Sequence, residues 1–236
     1  MSDVLYRVTR SIGGFIFWMS SRPIVRGLNH VPATGPYILV ATHQSPYDVP
    51  LLIRHIPRLL DFVSSAEVFQ NRIVATIYRL LNAFPLDRSR ADPATVRTII
   101  SRLRGGRVVA MFPEGAVHAG KSSVVHTRRM KSGVGRIARL SGAPVLPCVI
   151  IDSAVYSRPR RWFPSKRTRY GLIVGPPILP THQAADIELM LVDAFVSLHG
   201  TLAVEMACCP TDEDRHQQED GTNPGGHGTK SRDDAE

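Results

Sequence analysis

Three cysteines in 236 residues are too few for a disulfide framework. Cys148 sits inside an apolar, strand-like run, and Cys208-Cys209 are adjacent, with no CxxC spacing. The thiols read as buried or idle, and the compartment as reducing and cytoplasmic. Long hydrophobic runs are missing too. No uninterrupted apolar stretch approaches the roughly 18–20 residues that span a bilayer. The longest candidate, Ile12 to Met19, is short and contains Gly13-Gly14. It also lacks a basic leader and a small-residue cleavage site, so a signal peptide is not expected. Absence of G-x-S-x-G argues against a serine hydrolase of the α/β type. No His, Cys, Asp or Glu cluster has ligand spacing, so no metal and no other bound cofactor is expected. Gly133-Val-Gly135-Arg-Ile-Ala138 fits a dinucleotide fingerprint by its letters, but a polar basic segment precedes it instead of a strand.

Charge is abundant and unevenly placed. Residues 210–236 carry eight Asp/Glu and three Lys/Arg, which leaves 26 cations against 12 anions, or +14, on residues 1–209. A basic body points to anionic partners: phosphorylated metabolites, anionic lipid headgroups or nucleic acid. The loop from Arg158 to Arg169, with Trp162 and Phe163 among its arginines, suits an RNA or an anionic membrane surface, and equally a solvated loop. No nucleic-acid motif accompanies it, so no nucleic-acid partner is expected.

Periodicity organises the rest. Val4, Leu5, Val8, Ile12, Phe15, Ile16 and Met19 recur at spacings of three and four, an amphipathic helix. A core helix and a membrane-interface helix both fit, and Phe15-Ile-Phe-Trp18 favours the interface. Strands are expected at 37–42, 83–86, 107–112, 145–151 and 170–174. Helices are expected at 50–55 with Asp48 as N-cap, at 71–81, after Asp92-Pro93 as far as Gly105-Gly106, at 131–141 and at 184–207. Strands alternating with helices imply an α/β fold: a mixed, largely parallel sheet with helices on both faces. The expected organisation is an interfacial helix over 1–25, a domain over 26–209 and a disordered acidic tail over 210–236.

Chemistry-bearing residues fall at the ends of these strands, where such sheets place their sites. His43 follows the first strand, and Asp48 lies five residues on. A neutral imidazole takes a proton from an alcohol near pH 7, and a carboxylate on its other nitrogen fixes the tautomer. With nine His and thirteen Asp, H-x-x-x-x-D should occur by chance roughly half a time. N-capping by Asp48 and a structural His43 therefore remain open readings of the spacing alone. Phe112-Pro113-Glu114-Gly115 puts a carboxylate directly after a buried strand, which is costly unless it is paired or meets a ligand. Gly115 permits close backbone approach. Arg88, after the strand at 83–86, has a planar fork suited to phosphate, or to a surface ion pair with Asp87 or Asp92.

Taken together, these segments resemble the glycerolipid acyltransferase family, best known from lysophosphatidic acid acyltransferases. Thr42-His43 to Asp48 matches its H-x-x-x-x-D motif, and Asn82 to Arg88 resembles the second motif with its Asp-Arg end. Phe112 to Gly115 matches the third motif, and Ala143-Pro-Val-Leu-Pro147 resembles the fourth. Gly27-Leu-Asn-His-Val-Pro32 and Lys131-Ser-Gly133 agree as flanking text, and the likeness covers about residues 5–205. It implies His43 as general base and Asp48 as its orienting partner, with Arg88, Glu114, Pro113 and Gly115 holding the acceptor. The implied reaction moves an acyl group from acyl-CoA or an acyl carrier protein to a lysophospholipid hydroxyl, giving phosphatidic acid from lysophosphatidic acid. The implied place is the cytoplasmic face of a membrane carrying anionic lipids, in peripheral or monotopic attachment. Three positions depart from the pattern: Thr42 replaces an Asn, Ala116-Val117-His118 replaces Thr-Arg-Ser, and no lysine stands near Ser64-Ser65-Ala66. All three leave the transfer chemistry intact. They open the acceptor, and Ala116-Val117-His118 above all motivates a different lysolipid, a lipoamino acid or a glycolipid. A non-catalytic basic module binding membrane or RNA leaves the four ordered motifs unexplained.

Overall fold

The computed structural model describes residues 3–65, 70, 75–76, 82–86, 93–158 and 167–208. The expected helix at 71–81 lies largely outside these, as do Asp87, Arg88, Asp92, most of the 158–169 loop and the 210–236 tail.

Seven strands form one sheet in the order β1-β7-β6-β2-β5-β3-β4. They are β1 (Ser21–Arg26), β2 (Tyr37–Ala41), β3 (Leu60–Ser65), β4 (Phe84–Leu86), β5 (Val108–Met111), β6 (Val145–Ile151) and β7 (Thr168–Val174). Every pairing is parallel except β6 with β7, so β1 and β7 run against the other five. The expected mixed, largely parallel sheet is therefore present. β2 sits at its centre, all five residues buried, because both faces are covered. Its odd positions Tyr37, Leu39 and Ala41 join one core with α1 (Asp3–Ser20) and α2 (Asp48–His55). Its even positions Ile38 and Val40 join the other. That second core is capped by α3 (Pro93–Arg104), α4 (Val124–Thr127), α5 (Val134–Ser141) and α6 (Ala184–Cys208).

Two strands depart from the periodic reading. β1 contains Pro23 and two arginines and pairs with β7 alone. An edge strand needs only one ladder, so a residue without an N–H is tolerated there. β3 carries Asp61 at its second position, fully buried. Its charge is met by Arg107, whose Nε donates to Asp61 Oδ2 at 2.6 Å, and by Arg102 at 2.8 Å. Arg102 also stacks over the Phe84 ring at 4.3 Å, which ties α3 to β4. No sequence pattern announces a strand whose acid is neutralised from a distant helix and from the residue before β5.

α1 divides its apolar residues between two sides. Tyr6 and Phe17 turn inward; the Tyr6 hydroxyl accepts the Leu60 N–H, and Phe17 meets Tyr156 edge-on at 4.9 Å. Val4, Val8, Ile12, Phe15 and Trp18 form an outward stripe, with Trp18 63% exposed. One face of the helix is thus a core face, as one of the two readings expects, and the opposite face leaves an apolar stripe exposed.

α6 was expected as a closing helix, and its composition adds something that uninterrupted runs miss. Its mean hydropathy reaches 1.6 over 18 residues, so by length and composition it could cross a membrane. Glu188, Asp193 and Glu205 break the run. Ile187, Leu191, Val192, Phe195 and Leu202 are nevertheless buried in the second core. The Gly133-x-Gly135 decoy also finds its explanation here. A Cβ on Gly135 would sit 2.1 Å from Ala184 O, so this glycine lets α5 close on the start of α6.

Candidate functional site

The chain leaving β2 crosses one face through α2, whereas the chain leaving β5 crosses the other face through α4 and α5. Adjacent strands with divergent exits open a crevice at their C-terminal ends. His43 stands on one side of it and Glu114 on the other.

Thr42 extends the β2–β6 ladder by one residue. Its N–H donates to Cys148 O at 3.1 Å, and its Oγ1 accepts the Ile150 N–H at 3.1 Å. A hydroxyl does this without an amide, which gives the Thr in place of Asn a local purpose. The chain then turns through Gln44-Ser-Pro-Tyr47 into α2. Asp48 is the first residue of that helix; the cap position is Tyr47, which makes no side-chain capping bond. The expectation that Asp48 caps the helix is therefore corrected, because its side chain turns back into the loop. Asp48 Oδ2 accepts from Gln44 N at 2.7 Å, Ser45 N at 2.9 Å and His43 Nδ1 at 2.9 Å. Asp48 is fully buried and the His43 side chain 16% exposed. A carboxylate only accepts, so the Nδ1 proton is fixed and Nε2 is left as the basic nitrogen.

Further contacts hold the imidazole and its backbone. Phe112 stacks on the His43 ring with centroids 4.0 Å apart and planes 15° from parallel, and Phe62 backs Phe112. The His118 N–H donates to His43 O at 2.7 Å. Ser45 Oγ donates to Ser153 Oγ at 3.0 Å, joining the loop after β2 to the one after β6. None of these supports is visible as a motif, apart from Phe112's place beside Pro113-Glu114.

Glu114 is 8% exposed and both its oxygens are occupied. Oε2 accepts the His43 N–H at 2.7 Å, and Oε1 accepts the Val124 N–H at 2.6 Å. Burial pushes its carboxyl above the ordinary glutamate value, while the N–H bonds from Val124 and His43 pull it down. The structure thus answers the cost of burying this acid with backbone donors, and makes Glu114 a strut between the His43 backbone and α4. Pro113 O accepts the Lys131 N–H at 2.9 Å. Gly115 has φ +76° and donates its N–H to Phe112 O at 3.1 Å, so that amide is spent within the turn. What approaches Gly115 closely is Lys131: a Cβ there would lie 2.6 Å from Lys131 Cε.

Arg88 lies outside the described residues; β4, which ends at Leu86, runs toward the same edge of the sheet. Among the described residues no three His, Cys, Asp or Glu side chains converge as a metal cage. Chemically, the arrangement offers one oriented base, a buried carboxylate behind it and an aromatic platform beneath it.

Comparison with known proteins gives concordant findings. A family model described as Acyltransferase matches residues 22–151. A 1-acyl-sn-glycerol-3-phosphate acyltransferase of Bacillus subtilis (strain 168) is 28% identical over 159 residues, covering 66% of this chain and 71% of that protein. A protein of the same name from Streptococcus pneumoniae is 30% identical over 113 residues, covering 47% of this chain and 40% of the relative. In fold, the chain is similar to the crystal structure of the Thermotoga maritima 1-acyl-sn-glycerophosphate acyltransferase. The TM-score is 0.66 at 23% identity, over 88% of this chain and 81% of that one.

Proposed function

Because the chain belongs to the acyltransferase family, we propose that it moves a fatty acyl group from an acyl thioester to the free hydroxyl of lysophosphatidic acid, yielding phosphatidic acid. The observation that carries this reading is the 2.9 Å contact from His43 Nδ1 to Asp48 Oδ2 at the end of the central strand. His43 Nε2 takes the proton from the acceptor hydroxyl as its oxygen attacks the thioester carbon. The tetrahedral intermediate collapses, the C–S bond breaks, and the imidazolium returns its proton to the departing thiolate. Asp48 holds the imidazole in the working tautomer and stabilises its charged form. No covalent acyl-enzyme is needed. The names of the Bacillus and Streptococcus relatives support the acceptor; the donor is acyl-CoA or an acyl carrier protein.

The protein works at the cytoplasmic face of a membrane, held there peripherally or monotopically. The outward stripe on α1 supports this, together with a basic body suited to anionic headgroups. A different lysolipid, a lipoamino acid or a glycolipid is the second reading of the acceptor, favoured by Ala116-Val117-His118.

Purified His43→Ala, assayed for thiol release with lysophosphatidic acid in vesicles, should fold normally and lose transfer by about 10³-fold or more. Turnover near that of the wild type would sink the mechanism. Wild-type activity confined to an acceptor without a phosphomonoester would move the assignment to the second reading.

A further inference from the structure

A cleft of about 290 Å³ opens beside Glu114, walled by His118, Thr127, Arg129 and Lys131. Its charge balance is one-sided. The acid in its wall, Glu114, is buried, and each of its oxygens accepts one backbone N–H. The Thr127 hydroxyl donates to Ser123 O and accepts the Arg129 N–H. Among the described residues no carboxylate pairs with Lys131 or Arg129, whereas the neighbouring Arg128 pairs with Asp193 and the buried Asp61 takes Arg102 and Arg107. Unneutralised cations around a concave site attract a small anion.

Lys131 is also placed. Its N–H is tied to Pro113 O at 2.9 Å, and its side chain crosses Gly115 so closely that a Cβ there would meet Nζ at 2.8 Å. The ammonium therefore lies one residue from Glu114, whose Oε2 holds the His43 backbone at 2.7 Å. From the cleft's other wall, His118 holds the His43 carbonyl, also at 2.7 Å. An anion seated here would share its walls with the two residues that hold the His43 backbone.

We propose that Lys131, with Arg129 and His118, seats the phosphate monoester of a reactant, so that Lys131 sets which reactant is accepted. This rests on the acyl-transfer reading above and names the residues that would read the phosphate on the described side of the crevice. Lysine is a point charge with three donors, which suits a phosphate that arrives on a flexible glycerol. Two reactants carry a phosphate monoester: a lysophosphatidic acid acceptor and, through its 3′-phosphate, a CoA donor. In the acceptor the phosphate is one carbon and one ester oxygen from the carbon bearing the reacting hydroxyl. In CoA the whole pantetheine arm separates it from the thioester. Glu114, which lines the cleft, also holds the His43 N–H, and this shared residue favours the acceptor.

The test compares wild type, Lys131→Ala and Lys131→Arg in steady-state assays, with inorganic phosphate as competitor and glycerol 3-phosphate as a calorimetric probe. Lys131 is exposed, so both variants should fold. Losing one charge-assisted contact should raise KM for lysophosphatidic acid about 10- to 100-fold. The arginine variant should recover part of this, and phosphate should inhibit the wild type more than the alanine variant. If instead KM rises for acyl-CoA but not for the dephospho-CoA thioester, the seat stands and its phosphate belongs to the donor. If the wild type ignores lysophosphatidic acid, yet binds glycerol 3-phosphate and loses it on Lys131→Ala, the seat stands and the acceptor assignment falls. Unchanged KM values with unchanged phosphate inhibition and binding would overturn the proposal. So would a fall in kcat alone.

Discussion

The turn at His43 and the cleft at Lys131 occupy neighbouring strand ends, and they treat their polar groups in opposite ways. In the turn the protein supplies the partners itself. His43 N, O and Nδ1 are met by Glu114, His118 and Asp48, and Ser45 by Ser153. In the cleft, Lys131 and Arg129 carry charge that no described carboxylate answers. On the proposed reading His43 is a base that must keep one tautomer and one orientation through the reaction, so its partners belong to the protein. A recognition group spends its interaction on the ligand, and an internal counter-ion would compete for it.

The contrast is most exposed at Asp48. Asp48→Asn keeps the size and can leave its amide oxygen on the three N–H groups, with the NH2 at the Oδ1 position, so what it removes is the negative charge that stabilises the imidazolium. We expect kcat to fall by about 10³- to 10⁴-fold with the fold retained by circular dichroism. A loss under tenfold would mean that the Asp48 charge does not sustain the imidazolium.

Glu114→Gln breaks the strut more gently. One amide oxygen still accepts, while the NH2 faces a backbone N–H, so denaturant unfolding should show a loss of about 2–3 kcal/mol at neutral pH. Transfer should fall with it, as the His43 backbone loosens. The pH dependence has a definite sign. Burial raises the Glu114 carboxyl above its ordinary value of 4.5. A raised acid contributes stability that is full below the unfolded value and is lost as pH rises through the folded one. The stability gap between wild type and variant should therefore narrow as pH climbs through the window just above 4.5. A gap that widened there would show that the backbone donors outweigh desolvation.

The smallest expected change lies farthest from the crevice. Phe15→Ser with Trp18→Ser removes two exposed apolar groups from α1 without touching Tyr6 or Phe17. Sedimentation with anionic vesicles should fall about 10- to 100-fold, in line with the burial of two such side chains. Transfer to a short-chain, water-soluble acceptor should be little changed. Equal losses in both assays would tie α1 to the site rather than to a surface.

Much of this was legible in the chain because local pattern and global fold agree. β2, β5 and β6 are fully or nearly fully buried, so their Val- and Ile-rich runs announced them to within a residue. Gly142, with φ +72°, ends α5 where the sequence places a stop. β1 and β3 were not legible. One holds Pro23 at an edge, and the other holds an Asp61 that is tolerable only beside Arg102 and Arg107. At the site, His43 and Asp48 stood out by spacing and resemblance, but N-capping competed with ring contact for the same carboxylate. Only the path of the 44–47 turn separated them. Glu114 was recognised as a costly buried acid, while the identity of its partners, two backbone N–H groups, left no trace in side-chain letters.

The sequence by itself determined the alternation of strands and helices, the basic body, the amphipathic periodicity of α1 and the order of the four motifs. These are fixed by residues close together in the chain, whose periodicity and turn chemistry act locally. Only the tertiary structure decided that His43 Nδ1 meets Asp48, that Glu114 braces the His43 backbone, and that Lys131 lies over Gly115. Those contacts join residues up to 71 apart, brought together because β2 and β5 are neighbours in the sheet. Their geometry depends on how strands pair and where crossovers exit, which no short stretch of sequence encodes.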